Sequence, residues 1–505
     1  MVLLLAWSVY DPMDLRHLEF GMWAHVGLFA AVAIHCLLRP RDPRSTLTWL
    51  FGVWVAPGLG ALLYLMFGIN RVREKGWQKH KSDQTFHSNR SLREQEESPL
   101  AYWRGLRTGL LAQPTGEHAQ HLNTFLNRLA PNHPLLGGNA LRILVDAREA
   151  YPDMFAAIRG AKNHIHLQSY IIGPDETGRE LMEALAERAA AGVEVRVLYD
   201  SFGSAAARLR GFFRTYANRP HLRVIGFSQV NLFKRQFQIN LRNHRKILVV
   251  DGVVGYTGGI NFYDVYRQHR HQQPTHDYHF RVEGPATLEL QYSFLRDWYY
   301  MTDESPETLL SPEYFPPTPA VGGIPVRLLT NGPTAAESDT LLDALFATIT
   351  GARRQVLIVT PYFVPPPEIQ RALRCAALRG VDVQVLVPAV NNHAYVGHAS
   401  RALYDDLLLA GVRIFELPSP FLHAKAMLVD DAIALIGSAN LDTRSLRLNY
   451  ENSLLVLDER FGVALKRVLT GDFARSHEVL LAAWRLRPLR RRLVENFCSL
   501  LSPIA

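Results

Sequence analysis

Apolar and polar positions along the chain change regime twice. No charged side chain occurs from Ser45 to Asn70, and Leu47–Phe67 is apolar enough to cross a hydrocarbon core of about 30 Å. Phe20–Leu38 is a second such stretch, interrupted by His25 and His35, and the Arg39–Arg44 segment between them leaves room only for a tight turn. The pattern predicts a transmembrane helical hairpin over residues 1–75, in which Pro57 and Gly58-x-Gly60 allow the second segment to be kinked or re-entrant. After the polar stretch Lys79–Pro99, runs of strand length take over. Ala190–Leu198 and Leu378–Leu386 each read as a helix that stops at Gly and is followed by an alternating strand.

These two segments belong to a repeat. Ala161–Tyr170 parallels Ala352–Pro361, and NHRKILVVDGVVGYTGGIN, starting at Asn243, parallels LHAKAMLVDDAIALIGSAN, starting at Leu422. Each half reads as strand, helix, strand, then a hairpin: an α/β unit with a mainly buried sheet. Ile247–Val250 and Ala426–Val429 read as buried strands closed by turns at Asp251-Gly252 and Asp430-Asp431. The Pro- and Gly-rich Asp303–Gly323 reads as a linker. The predicted division is a hairpin (1–75), a connector (76–138), a first domain (139–302), the linker (303–323), a second domain (324–485) and a C-terminal tail (486–505).

The doubled segment carries the chemistry. His244 and Lys246, like His423 and Lys425, are two apart, so on a strand they project from one face. Asp251 and Asp430 follow, and each segment closes on an asparagine, Asn261 or Asn440. Transfer of a phosphodiester through a covalent intermediate needs a nucleophile, an acid for the leaving alcohol and cations for the phosphoryl oxygens. One neutral imidazole can attack phosphorus while a second, protonated one donates to the leaving oxygen. The two lysines and two asparagines can hold the anionic oxygens. Since each half supplies a single such histidine, the site must lie where the halves meet. A basic anion-binding surface without turnover would not require the same histidine twice. Asp251 and Asp430, at strand ends, are open to two readings: members of the catalytic set, or turn residues that fix the motif.

Composition adds direction. The net charge of +8 and pI near 9.3 favour anionic partners, among which lipid surfaces and nucleic acids both qualify. In the tail, Arg485, Arg487, Arg490, Arg491 and Arg492 lie among Trp484, Leu486, Leu489, Leu493 and Phe497, which suits either an interfacial helix or one packed on the second domain. His269, His271, His276 and His279 lack a compact ligand pattern, so no metal site is expected. Cys36, Cys375 and Cys498 are too scattered for a disulfide framework. Arg71, Arg73, Lys75, Lys79 and Lys81 favour the cytoplasm for the side that follows the second span, although the hairpin turn is also basic.

The twin motifs resemble the phospholipase D superfamily. The membrane region RSTLTWLFGVWVAPGLGALLYLMFGINRVR, the segments GVEVRVLYDSFGS and TPYFVPPPEIQRAL, and the tail WRLRPLRRRLVENFCSLLSPIA narrow the resemblance to bacterial cardiolipin synthases of that type, over nearly the whole chain. The resemblance implies two phospholipase D-like domains paired about a pseudo-twofold axis. It implies condensation of two phosphatidylglycerols to cardiolipin and glycerol, without metal or nucleotide cofactor, at the inner membrane, where the basic run after the second span favours cytoplasmic catalytic domains. It implies anionic membrane lipids, not nucleic acid, as partners. It also implies His244 as nucleophile, His423 as general acid and base, and Glu451 and Asp277 as carboxylates that orient the imidazoles. The chain departs from the family at Asn391 and Asn392, where an acidic residue is common. A phospholipase D-type hydrolase or a nuclease shares the motifs and is the alternative reading.

Overall fold

The computed structural model describes residues 12–38, 43–68, 71–95, 111–217, 219–227, 242–267, 274–302, 304–333, 337 and 339–500. The chain divides into two compact units, Met1–Lys75 and Gly76–Ala505.

In the first unit, helices α1 (Pro12–Leu38), α2 (Pro43–Val55) and α3 (Pro57–Leu63) pack around Val32, Cys36, Val53 and Tyr64. The second apolar stretch, Leu47–Phe67, is broken where Pro57 allows a kink. Pro57 has no N–H to donate and disfavours the helical conformation at Ala56, whose φ of −137° and ψ of 76° mark the break. The pieces meet so closely that a Cβ on Gly60 would lie 2.5 Å from the Gly52 carbonyl oxygen. Among the described residues, α1 is the helix long and apolar enough to cross a membrane by itself, over Gly21–Leu38. His25 and His35 of that stretch find partners within the unit: His35 Nδ1 lies 2.5 Å from the Tyr64 hydroxyl, and the His25 ring meets Trp54 edge-on. Met22, Trp23, Ile34, Leu47, Phe51 and Leu59 are exposed, a surface suited to hydrocarbon and not to water.

The second unit is built on a sheet. Its first half contributes β1 (Leu136–Val145), β2 (His164–Ser169), β3 (Glu194–Asp200), β4 (Leu222–Phe227), β5 (Ile247–Val250), β6 (Val254–Gly258) and β7 (Tyr278–Glu283). The second half contributes β8 (Ile324–Asn331), β9 (Gln355–Val359), β11 (Asp382–Pro388), β12 (Arg413–Leu417), β13 (Ala426–Val429), β14 (Ile433–Gly437), β16 (Glu451–Leu457) and β17 (His477–Glu478), while β10 (Phe363–Val364) and β15 (Leu441–Asp442) pair separately. The strand order is β17-β12-β11-β9-β13-β14-β16-β8-β1-β7-β6-β5-β2-β3-β4. Read outward from the β8–β1 seam, the two halves list equivalent strands in the same sequence, which is the expected pseudo-twofold pair. At the seam β1 and β8 run antiparallel, and the buried Asn139 side chain donates to the carbonyls of Leu136 (2.7 Å) and Ile324 (3.0 Å).

The halves share one core. Helix Ala286–Met301 is buried on every side through Leu288, Leu290, Tyr292, Phe294, Leu295 and Trp298, and it belongs to a cluster that includes Val326, Leu328 and Leu357 of the second half. The segment read as a linker packs into that cluster with Leu309, Leu310, Tyr314 and Phe315; Asp303 lies outside the described residues. The polar helix Arg71–Gln95 adds Phe86 to the cluster and buries Lys79 3.1 Å from Asp297. Lys79 is therefore spent inside the fold and is not a surface charge.

Candidate active site

The runs Ile247–Val250 and Ala426–Val429 are strands β5 and β13, but the His-x-Lys triplets lie in the extended chain just before them. There the backbone is stitched to the opposite half. The His244 N–H donates to the Tyr450 carbonyl (2.9 Å), and the His423 N–H donates to the His276 carbonyl (2.7 Å). Tyr450 and His276 immediately precede Glu451 and Asp277, so each motif is registered against the other half's carboxylate. His244 Nδ1 lies 3.0 Å from Glu451 Oε2, and His423 Nδ1 lies 2.6 Å from Asp277 Oδ2. The partnership is crossed between halves.

The close of each motif explains itself in this geometry. A Cβ on Gly259 would lie 2.1 Å from Asp277 Oδ1, so only glycine leaves room for that carboxylate. The equivalent Ser438 instead donates its hydroxyl to Glu451 at 2.5 Å. Both carboxylates are fully buried. Burial alone would raise them, but His244 with Lys246 holds Glu451 below the usual range, and Lys425 with His423 does the same for Asp277. With Nδ1 engaged, Nε2 of each imidazole is the atom left to meet a substrate.

Burial draws both imidazoles down to about 4, against the pull of their carboxylates and helped by the neighbouring lysines. Burial likewise draws Lys246 to about 7 and Lys425 to about 8. Lys246 Nζ donates to the His244 carbonyl at 2.7 Å, and Lys425 Nζ lies 3.0 Å from His423 Nδ1. The site therefore holds more cationic capacity than charge, and an arriving phosphodiester would restore protons to it.

His244, His423, Asn261 and Asn440 line a single cavity of about 460 Å³, with Tyr266, Phe421, Val364 and Val396 among its apolar and aromatic walls. The asparagines are braced alike, Asn261 on Tyr266 (3.2 Å) and Asn440 on Ser445 (3.3 Å). Asp251 and Asp430 stand elsewhere. Asp251 accepts from the backbone N–H groups of Lys162, Asn163 and His164, and Asp430 from those of Arg353, Arg354 and Gln355, all at 2.7–3.0 Å. Both hold the left-handed backbone of a turn, with φ of 54° and 51°. The structure places them away from the lining of the cavity, where each clamps the end of its motif strand to the neighbouring strand, as the second reading has it.

Of the histidine cluster, His269 and His271 lie outside the described residues, and His279 is buried. His276 is a clamp between halves: Nδ1 lies 2.7 Å from Asp146 Oδ1, and Nε2 lies 2.8 Å from Asp472 Oδ2. Burial would lower it, yet the two carboxylates outweigh burial and push it up to about 9. Its contribution to stability, on the order of 3 kcal/mol, is complete below the unfolded value near 6.5 and disappears as pH rises through 9. Melting curves between pH 7 and pH 10 are therefore expected to fall more steeply for the wild type than for His276→Gln. Parallel curves would remove the clamp.

Sequence reasoning passed over Arg242 and Arg444, which also line the cavity, and Tyr170, whose ring meets that of His244 at 4.8 Å. Arg242 stands two residues before His244, a signal that was available. Asn391 accepts from the His393 N–H and Asn392 from the Tyr362 hydroxyl, so the two amides serve as local braces near the cavity rim.

Comparison with known proteins agrees with this geometry. A family model described as cardiolipin synthase, PLD-like domain, matches residues 154–297 and 345–475, and one described as phospholipase D-nuclease N-terminal matches residues 27–68. The chain is 36% identical over 500 residues to a cardiolipin synthase of Geobacillus kaustophilus (96% of this chain, 95% of that protein). It is 34% identical over 489 residues to cardiolipin synthase A of Pseudomonas entomophila (96% and 97%). The fold is that of phosphatidylserine synthase from Haemophilus influenzae, with a TM-score of 0.57 at 16% identity, covering 76% of this chain and 97% of that one. Twin motifs, paired halves and full-length similarity together place the chain in the cardiolipin synthase family of phospholipase D-like proteins.

Proposed function

We propose that the chain is a membrane phosphatidyltransferase that condenses two phosphatidylglycerols to cardiolipin and glycerol through a phosphatidyl–histidine intermediate. One observation carries the reading: two imidazoles from opposite halves, each held at Nδ1 by a buried carboxylate, share a single cavity. In the first step His244 Nε2 forms a bond to phosphorus, the bond to the glycerol oxygen breaks, and that oxygen takes the proton of His423. In the second step neutral His423 removes the hydroxyl proton of the acceptor lipid, the new phosphorus–oxygen bond forms, and the phosphorus–nitrogen bond to His244 breaks. Lys246, Lys425, Asn261 and Asn440 hold the phosphoryl oxygens. Asp251 and Asp430 hold the motif strands and touch no reacting atom. The low resting basicity of both imidazoles suits a nucleophile, and the charge of the bound phosphodiester supplies the pull that protonates the acid.

Membrane association follows from the apolar helix Gly21–Leu38 and the family. The finer topology we infer is a two-span hairpin with the catalytic unit in the cytoplasm, supported by Arg71, Arg73 and Lys75 after the second segment. Protease digestion of the catalytic unit in inside-out but not right-side-out vesicles tests that orientation. We assign residues 139–302 and 324–485 as the two phospholipase D-like domains. The function itself is tested with purified protein and labelled phosphatidylglycerol. Cardiolipin with released glycerol supports the transferase, phosphatidic acid would mean hydrolysis by water, and neither product would reduce the site to anion binding.

A further inference from the structure

The transferase just described has a requirement that the twin motifs do not meet. Its acceptor is itself a phosphodiester, so the second step brings a further negative charge into a cavity where the lysines and asparagines already hold the phosphoryl group on His244. The acceptor hydroxyl and its own phosphate are separated only by the length of a glycerol. A second anion site is needed, close to the first and inside the same cavity.

The cavity wall has such a place. Arg242 and Arg444, one from each half, both line it and both are partly buried. Arg242 lies two residues before His244 in extended chain, roughly 7 Å along the backbone. Tyr170 measures the same step through side chains: its ring meets the His244 ring at 4.8 Å, and its hydroxyl lies 3.5 Å from an Arg242 guanidinium nitrogen. Among the described residues Arg242 makes no ion pair with a carboxylate. Its guanidinium lies over the Phe202 ring at 3.8 Å, and its Nε is buried with no hydrogen-bond partner. Arg444 stands near enough to feel the charge of Arg242. The acid beside it, Asp442, gives Oδ1 to the Ser445 N–H at 2.7 Å and caps the short helix that starts at Thr443. Asp200 and Asp442 each offset part of the charge of one guanidinium, and an anion between the two would relieve the repulsion that remains.

We propose that Arg242 and Arg444 form the binding site for the headgroup phosphate of the acceptor lipid, and so select an anionic phospholipid over water or a neutral alcohol as the group that receives the phosphatidyl moiety. The assignment rests on the transferase reading. A planar guanidinium accepts two phosphate oxygens side by side, so it fixes the headgroup's orientation as well as its charge. With the phosphate seated there, the free glycerol hydroxyl of the acceptor reaches toward His423 and the phosphorus on His244.

Competition between acceptors tests this without depending on how fast the intermediate forms. Full-length enzyme in detergent receives phosphatidylglycerol together with butanol, and cardiolipin and phosphatidylbutanol are measured from the same reaction. Both products come from one intermediate, so their ratio reads the second step alone. For Arg242→Gln and for Arg444→Gln the ratio of cardiolipin to phosphatidylbutanol is expected to fall roughly tenfold to a hundredfold, the loss of a charge-assisted contact to phosphate. Arg242→Lys is expected to recover part of the ratio by restoring charge without the fork. A ratio that stays at the wild-type value while both products decline would assign the arginines to the donor or to structure, and would overturn the proposal. Wild-type enzyme that yields phosphatidylbutanol but no cardiolipin would keep phosphatidyl transfer and overturn the reading that its acceptor is a second phosphatidylglycerol.

Discussion

His423→Ala enzyme, given a phosphatidyl donor whose leaving group needs no proton, is expected to stop as a covalent adduct on His244. Attack requires only a neutral imidazole, and burial holds His244 in that form at neutral pH. Breakdown requires a base for the incoming hydroxyl, and the group proposed for that task is gone. Steady-state turnover is expected to fall by at least roughly a thousandfold, as when one member of a catalytic unit is removed. His244→Ala is expected to form no adduct with any donor. Labelled lipid followed by peptide mapping of both variants decides the matter. The two imidazoles have nearly the same environment, so their order rests on resemblance more than on geometry. An adduct on His423 in the His244→Ala protein would exchange the roles and leave the two-histidine mechanism standing.

The crossed carboxylates give the second large effect. Glu451→Gln and Asp277→Asn keep the shape of each side chain while removing the charge that fixes the imidazole tautomer and stabilises its protonated form. A loss of roughly a hundredfold to ten-thousandfold in turnover is expected for each. The two losses differ in kind. Glu451 holds the nucleophile, so Glu451→Gln is expected to lose the rapid first burst of product from an activated donor. Asp277 holds the acid, so Asp277→Asn is expected to keep that burst and slow afterwards. The opposite assignment of bursts would exchange the roles of the two histidines, since the distances of 3.0 and 2.6 Å fix which imidazole each carboxylate holds.

Local sequence carried what local structure decides. The runs Ile247–Val250 and Ala426–Val429, the repeats beginning at Ala161 and Ala352, and the role of Pro57 as a helix breaker are all set by neighbours a few residues away, and all can be read from periodicity and turn chemistry. Contacts across the seam are set otherwise. Nothing in the spacing of Glu451 from His423 says that the carboxylate reaches His244, because that depends on the Tyr450 and His276 carbonyls meeting the opposite motif. The segment between the halves follows the same rule. Its prolines and glycines mark turns correctly, but Leu309, Leu310, Tyr314 and Phe315 between them are core residues that only the assembled halves can bury. Asp251 and Asp430 show the limit of a motif. Their recurrence marks a shared need, and the need is backbone hydrogen bonding at a strand end.

Because each carboxylate stands at the start of a strand of one half and its imidazole on a segment of the other, each catalytic pair draws on both halves. An internal duplication begins with two identical sites, and a carboxylate that served its own half would have to suit nucleophile and acid in the same local surroundings. Crossing frees them. Asp277 sits against Gly259, short and close, while Glu451 is longer and braced by Ser438, so each carboxylate is matched to the close of its own half's motif while it serves the imidazole of the other. A symmetric ancestor could in this way drift into two unequal histidines while every change remained a small one on a rigid sheet.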